Sequence, residues 1–320
     1  MAATATDVDG GAAVVDPEPF PDPVVGACVT RDCQVVDEQG KVRWVRCVVA
    51  AEAGLAFCFV RTLRECIYGV VRHGVALEKG GRHGDDGLYR YDASRQVAIK
   101  CMGKRVIARQ RGRIREDPIS ELAALQLLAA PGHAHVQRLV ACLEDADTVY
   151  AVCPFYAGGE LFSFIETRGS GLPEDQARGL FCQIASGLGY MHARRLCHRD
   201  LSLENILLTG AGAGADGVII DMGMCLRVPA DERGRRVLIR RQGQCGKITY
   251  MSNEVFEDRD FDGACARKNM DERLTPSIRF TQPSPLTPQS IPTPPHQQAS
   301  PSTCGPWASS SSSSSPASRP

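Results

Sequence analysis

After Gly263 the 320-residue chain stops carrying anything that could build a core. Residues 264–320 are dominated by Pro, Ser, Gln and Thr and hold the unbroken run Ser309–Ser315. Such a composition buries too little apolar surface to offset the entropy of ordering, so a disordered tail is expected. Residues 1–23, rich in Ala, Asp and Pro, read as disordered for the same reason. Folding is thereby confined to residues 24–263, enough for one sizeable domain. Lys and Arg total 37 against 37 Asp and Glu. That balance gives no global pull toward nucleic acid or an anionic membrane, and neither is expected as a partner.

The 14 cysteines are scattered from Cys28 to Cys304, without a CxxC pair and without a basic-then-apolar leader at the start. They read as free, mostly buried thiols of a reducing compartment, which implies a cytoplasmic or nuclear protein. A zinc site from Cys28, Cys33, Cys47 and Cys58 is the alternative, against which stand irregular spacing and the lack of paired histidines. The longest apolar stretch, near Cys47–Val60, contains Glu52 and is too short to cross a bilayer.

Residues 24–63 read as a β-rich extension. Gln34-Val35-Val36 and Lys41–Val45 flank the turn Asp37-Glu38-Gln39-Gly40. From Arg64 onward short β-branched runs alternate with amphipathic helices, an α+β pattern. Cys66–Val71 and His73–Leu77 read as two strands, Glu78–Gln96 as an inserted loop, and Val97–Met102 as a third strand. A helix is expected over Pro118–Ala129, with Ile119, Leu122, Leu125 and Leu128 at helical spacing. Thr148–Cys153 reads as a strand. Pro173 then opens a long helix, with Glu174 and Asp175 in its first turn and Leu180, Ile184, Leu188 and Met191 on one face.

Two short segments carry chemistry. His198-Arg199-Asp200-Leu201-Ser202-Leu203-Glu204-Asn205 follows the long helix and precedes apolar Leu207-Leu208. Asp200 and Asn205 on one tight loop suit phosphoryl transfer: a carboxylate accepts a hydroxyl proton, and a neutral amide oxygen holds a metal without adding charge. Downstream, Val218-Ile219-Ile220 runs into Asp221-Met222-Gly223, a carboxylate at a strand end suited to magnesium.

Together these segments make residues 64–263 resemble a eukaryotic protein kinase of the Ser/Thr type. The resemblance implies a two-lobed fold, with a β-rich N-lobe over 64–156, a partial helical C-lobe over 157–263, and a disordered tail. It implies ATP and Mg2+ as cofactors and a protein hydroxyl as acceptor. Val97-Ala98-Ile99-Lys100 matches the third-strand motif, so Lys100 would hold the α- and β-phosphates and pair with Glu121. Asp200 would be the catalytic base, and Asn205 and Asp221 the metal ligands. Gly69-Val70-Val71-Arg72-His73-Gly74 would be the glycine loop, with Val71 at the middle glycine. Cys153 falls at the gatekeeper position; Pro154 and Tyr156 would offer a carbonyl and an amide to adenine. Ala98 and Leu207 would sandwich the base, and Glu160 would meet ribose or a basic substrate side chain. Gly246–Glu254 resembles the end of the activation segment.

Departures from the pattern support an alternative, a catalytically impaired pseudokinase or kinase fragment that binds a nucleotide or a partner. Ser202 and Leu203 replace lysine and proline, Met222 replaces phenylalanine, and Lys247 replaces threonine. Lys247 is a candidate to supply part of the charge missing at Ser202. No Ser, Thr or Tyr lies between Met224 and Ile248, a stretch whose arginines Arg227, Arg233, Arg235, Arg236, Arg240 and Arg241 would suit acidic substrate segments. The apolar helix expected after Gly263 is missing, which reads as a truncated lower lobe that exposes Leu180, Ile184 and Leu188. The tail's Ser-Pro and Thr-Pro pairs, such as Thr275-Pro276 and Ser284-Pro285, are expected phosphate acceptors.

Overall fold

The computed structural model describes residues 14–79, 88–212, 214–230 and 237–263. The expected tail and its Ser-Pro and Thr-Pro pairs lie outside the described residues, as do 1–13.

A single nine-stranded sheet dominates the upper lobe. In chain order come β1 (Val14–Val15), β2 (Gly26–Ala27), β3 (Val29–Val36) and β4 (Val42–Ala50). They are followed by β5 (Leu55–Cys66), β6 (Gly69–Lys79), β7 (Leu88–Arg90) and β8 (Gln96–Gly103). After α1 (Lys104–Gln110) and α2 (Pro118–Ala129), β9 (Ala141–Glu144) and β10 (Thr148–Pro154) complete the lobe. The order is β2-β9-β10-β8-β6-β5-β4-β3-β7, and β7 also pairs with β6, so β3 to β7 close on themselves.

Alternation drives this closure. Cys33, Val35, Cys47, Val49, Ala56, Cys58, Val75 and Leu77 point inward and form one core, while Val48, Phe57, Ile99 and Val152 form another on the opposite face. The expected turn is present: Asp37 Oδ1 accepts from the Gln39 and Lys41 N–H groups at 3.0 and 2.8 Å, and Gly40 takes φ +79°. Cys28 belongs to the core away from Cys33, Cys47 and Cys58, so the zinc set is split. Among the described residues no group of three His, Cys, Asp or Glu side chains could hold a metal.

The lower lobe holds α3 (Leu161–Glu166), α4 (Glu174–Ala193), the strand pairs β11 (Leu196–Cys197) with β14 (Leu226–Arg227) and β12 (Ile206–Leu208) with β13 (Gly217–Ile219), then β15 (Leu238–Ile239) and α5 (Asn253–Phe256). Its core gathers Leu161, Leu180, Met191, Leu196, Ile206, Leu208, Ile219 and Met222. No helix among the described residues is long and apolar enough to cross a membrane.

Three expectations change. Residues 14–23 were expected to lack order, yet β1 pairs in parallel with β15 and Glu18 makes ion pairs with Arg195 and Arg227. The boundary at residue 63/64 falls inside β5, because the extension and the lobe share one hydrogen-bonded sheet. The face of α4 is less bare than expected: Leu180 is buried and Ile184 and Leu188 are half-buried against the core, while Phe181 is 57% exposed.

Candidate active site

The upper wall of the cleft is built by β6 and β8. Antiparallel register places Val71 opposite Lys100 and His73 opposite Ala98, and directly paired residues share a face. Val71, His73, Ala98 and Lys100 therefore line one face, and Val70, Arg72 and Gly74 the other. This corrects the glycine loop. Gly69–Gly74 does not join two strands; it lies within β6, and the β5–β6 turn is Ile67-Tyr68. Gly74 is a packing glycine whose added Cβ would come within 2.6 Å of the Cys58 carbonyl. The residues at the turn are Arg64–Gly69. A strand ending at Cys66 beside an aromatic was the available signal, but two evenly placed glycines masked it.

The turn is pinned down. Tyr68 is buried against Met102, Ile107 and Leu122, and its hydroxyl donates to Glu116 O at 2.7 Å. Arg64, at the end of β5, reaches across the cleft to Glu160 at 3.3 Å.

Lys100 meets α2. The helix starts at Pro118 behind the N-cap Asp117, whose carboxylate accepts from Ile119 N–H at 3.0 Å and Ser120 Oγ at 2.9 Å. Leu122, Leu125 and Leu128 bury the helix, which turns Glu121 inward, 4% exposed. Lys100 Nζ donates to Glu121 Oε2 at 2.6 Å and lies 3.8 Å from Glu116 Oε1. Burial opposes the Lys100 charge, but Glu121, Asp221 and Glu116 outweigh it and hold its pKa above the usual lysine range. Burial pushes the Glu121 carboxyl upward, and the ammonium limits that rise. Asp221 acts electrostatically on both members, so the β8, α2 and β13 ends converge on one cleft.

The lower wall is the loop after β11. His198 is buried; Asp200 N–H donates to its Nδ1 at 3.3 Å, so Nε2 carries the proton donated to Ile220 O at 2.9 Å. Burial keeps this imidazole neutral by lowering its pKa. Asn205 Nδ2 donates to Asp200 O and Oδ2 at 2.7 and 3.1 Å, which ties the two ends of the loop together. That leaves Asn205 Oδ1 and the Asp221 carboxylate as oxygen donors, a set that suits a hard divalent cation. Asp200 Oδ1, Ser202 Oγ and Glu204 Oε2 are buried without a hydrogen-bond partner. Asp221 itself sits at φ +66°, with Gly223 N–H donating to its Oδ1 at 3.2 Å and Asp117 N–H bonded to Gly223 O at 2.9 Å.

At the back of the cleft, β10 leads through buried Cys153, opposite Ala98, into Pro154, Phe155 and Tyr156. Burial raises the Cys153 thiol to about 12, so it is an inert thiol. Gly158 crosses so close to Leu208 and Gly210 that an added Cβ would stand 2.3 Å from the Gly210 carbonyl. Leu207 bridges to Glu160 there. On the far side Gly246 packs on the Arg199 carbonyl and Asp200, and its neighbour Lys247 pairs with Glu204 on the Asp200–Asn205 loop. Of the basic stretch, Arg240 pairs with Asp16 and Arg227 with Glu18, while Arg233, Arg235 and Arg236 lie outside the described residues.

A β lobe above a smaller helical lobe, a buried Lys–Glu pair between them, and an Asp–Asn loop facing a second aspartate define a protein-kinase-like fold. The chain belongs to the protein kinase domain family, whose model matches residues 87–266. It is 35% identical over 176 residues to CBL-interacting serine/threonine-protein kinase 16 of Arabidopsis thaliana, covering 53% of this chain and 35% of that protein. It is 33% identical over 204 residues to CBL-interacting protein kinase 17 of Oryza sativa subsp. japonica, 64% of this chain and 39% of that one. Against maternal embryonic leucine zipper kinase of Danio rerio identity is 31% over 191 residues, 60% of this chain and 25% of that protein. The chain thus spans between a quarter and two fifths of the lengths of these relatives.

Proposed function

We propose that this chain transfers the γ-phosphoryl group of Mg-ATP to a serine or threonine hydroxyl of a protein. The observation that carries the reading is the Lys100–Glu121 pair held at 2.6 Å within the electrostatic reach of Asp221. An ammonium held charged by carboxylates is a fixed phosphate anchor, and burial strengthens its field.

In this reading Lys100 orients the α- and β-phosphates and Glu121 fixes Lys100. Ala98, Leu207 and Val71 enclose the base, and Pro154 and Tyr156 offer their backbone groups to it. Asn205 and Asp221 would hold magnesium, which would neutralise phosphate charge during transfer. Asp200, steadied by the Asn205 amide, accepts the proton of the attacking hydroxyl through its unpaired Oδ1. The relatives named serine/threonine kinases support that acceptor class.

A second reading, nucleotide or partner binding without transfer, is favoured by buried Ser202, whose hydroxyl offers no cation to the transferred phosphate. The test is phosphate transfer from Mg-ATP to a mixed peptide array, beside nucleotide binding, for the wild type and Asp200→Asn. Loss of about a thousandfold in transfer with binding kept supports the enzyme. Binding without transfer in both proteins overturns it in favour of the module.

A further inference from the structure

The run Val14–Ala27 joins parts of the molecule that are distant in sequence. At its start, β1 lies along β15, with Val14 opposite Leu238 and Val15 opposite Ile239. Arg240 N–H donates to Val15 O at 2.8 Å, and Arg240 Nε to Asp16 Oδ1 at 3.0 Å. Glu18 is then held from two directions. Arg195 donates to both of its oxygens, at 2.7 and 2.9 Å, and Arg227 Nη2 lies 2.9 Å from Oε2. Arg227 also donates to Pro19 O at 2.7 Å and accepts from Glu18 N–H at 3.1 Å through its carbonyl.

Beyond this grip, Phe20 packs on the lower-lobe core. Val24 exchanges both backbone hydrogen bonds with the Gln126 side chain of α2, at 2.9 and 2.7 Å, and β2 lies beside β9. One short run therefore links the segment after Asp221, the helix that carries Glu121, and the edge of the sheet. A cavity of about 370 Å³ is lined by Pro17–Asp22 together with Ile119 and Ser120 of α2 and Leu226 of β14.

The segment it grips has no hydroxyl side chain between Met224 and Ile248. No phosphate can be added there to recruit arginines and order the stretch. A carboxylate held by bidentate guanidinium contacts supplies the same kind of charge-assisted anchor. Isolated surface pairs are weak, but here the pairs add to strand pairing along the same backbone.

We propose that Val14–Asp22 is a built-in strap that orders residues 221–230 and 237–254, and that Glu18 is a positioning residue acting in place of an added phosphate. The strap grips the segment at Arg227 and Arg240, between Asp221 and the Gly246 that packs on Asp200. Losing the grip frees both ends of the stretch that faces the acceptor. The effect on rate rests on the phosphotransfer reading; the ordering does not.

The experiment uses the full chain with Glu18→Ala and Glu18→Asp. Site-resolved amide hydrogen exchange is read beside steady-state kinetics with Mg-ATP. In Glu18→Ala the Arg240 amide, bonded to Val15, and the Ile239 amide, bonded to Phe261, should both exchange at least about tenfold faster, with β8 amides unchanged. The rate constant kcat should fall about tenfold at constant KM for ATP, with recovery in Glu18→Asp. Retained protection at Ile239, or an unchanged kcat, overturns the proposal. A wild type that transfers no phosphate defeats the phosphotransfer reading alone, and the exchange pattern then decides the strap.

Discussion

Burial acts against both Lys100 and Glu121, and their contact at 2.6 Å offsets that cost, with Asp221 and Glu116 adding to the offset at Lys100. Removing one should therefore cost more than the pair contributes. Lys100→Met leaves Glu121, 4% exposed, beside Glu116 and Asp221 with no cation. It should lose roughly 3 kcal/mol of stability at pH 7.5, read from urea midpoints. The sign with pH follows from the raised Glu121 carboxyl. A folded pKa above the unfolded value makes the unfolded state release its proton first, so the penalty grows as pH rises and shrinks as pH falls. The deficit relative to wild type should be smaller at pH 5.5 than at pH 7.5. An equal deficit at both would mean that Glu121 is not the group left uncompensated.

At the scale of elements, α2 carries Glu121 only as well as its first turn is fixed. Asp117 caps the helix, accepts from Arg111 Nε at 3.1 Å, and donates its own N–H to Gly223 O. Asp117→Ala should cost about 1 kcal/mol in denaturant midpoint. The backbone N–H that joins α2 to the Asp221 loop survives in this variant, so nucleotide binding should weaken only through fraying of the first turn that carries Glu121. A stability loss with unaltered binding would separate the cap from the site. This helix was legible in the sequence to the residue, since Pro at N1 and leucines at helical spacing are local signals. So were the strand carrying Lys100, the Asp200–Asn205 loop and the strand before Asp221. The β5–β6 hairpin was not, because strand register is decided by partners on β8 and not by the spacing of Gly69 and Gly74. The strap was least legible. Its prolines erase periodicity, and the partners of Glu18 and Asp16 stand some two hundred residues away, where only the fold can bring them.

Across the whole molecule the two lobes meet at the strap behind α2 and at the cleft mouth, where Arg64 pairs with Glu160 at 3.3 Å. Arg64 is 63% and Glu160 34% exposed, so water and salt screen the pair and it is worth at most about 1 kcal/mol. In the kinase reading it spans the opening through which a nucleotide would enter, and it occupies the carboxylate offered to ribose. A nucleotide must break the contact to use Glu160, so the pair subtracts from binding. Arg64→Ala should then bind Mg-ATP up to about fivefold more tightly at low ionic strength, the equivalent of 1 kcal/mol. Added salt should erase the difference, since screening already weakens the pair in the wild type. Calorimetric titrations at about 20 and 300 mM salt measure both effects. Weaker binding in the variant would reverse the assignment and make Arg64 a ligand of the phosphates, supplied by β5 where the loop has no glycine before Gly69.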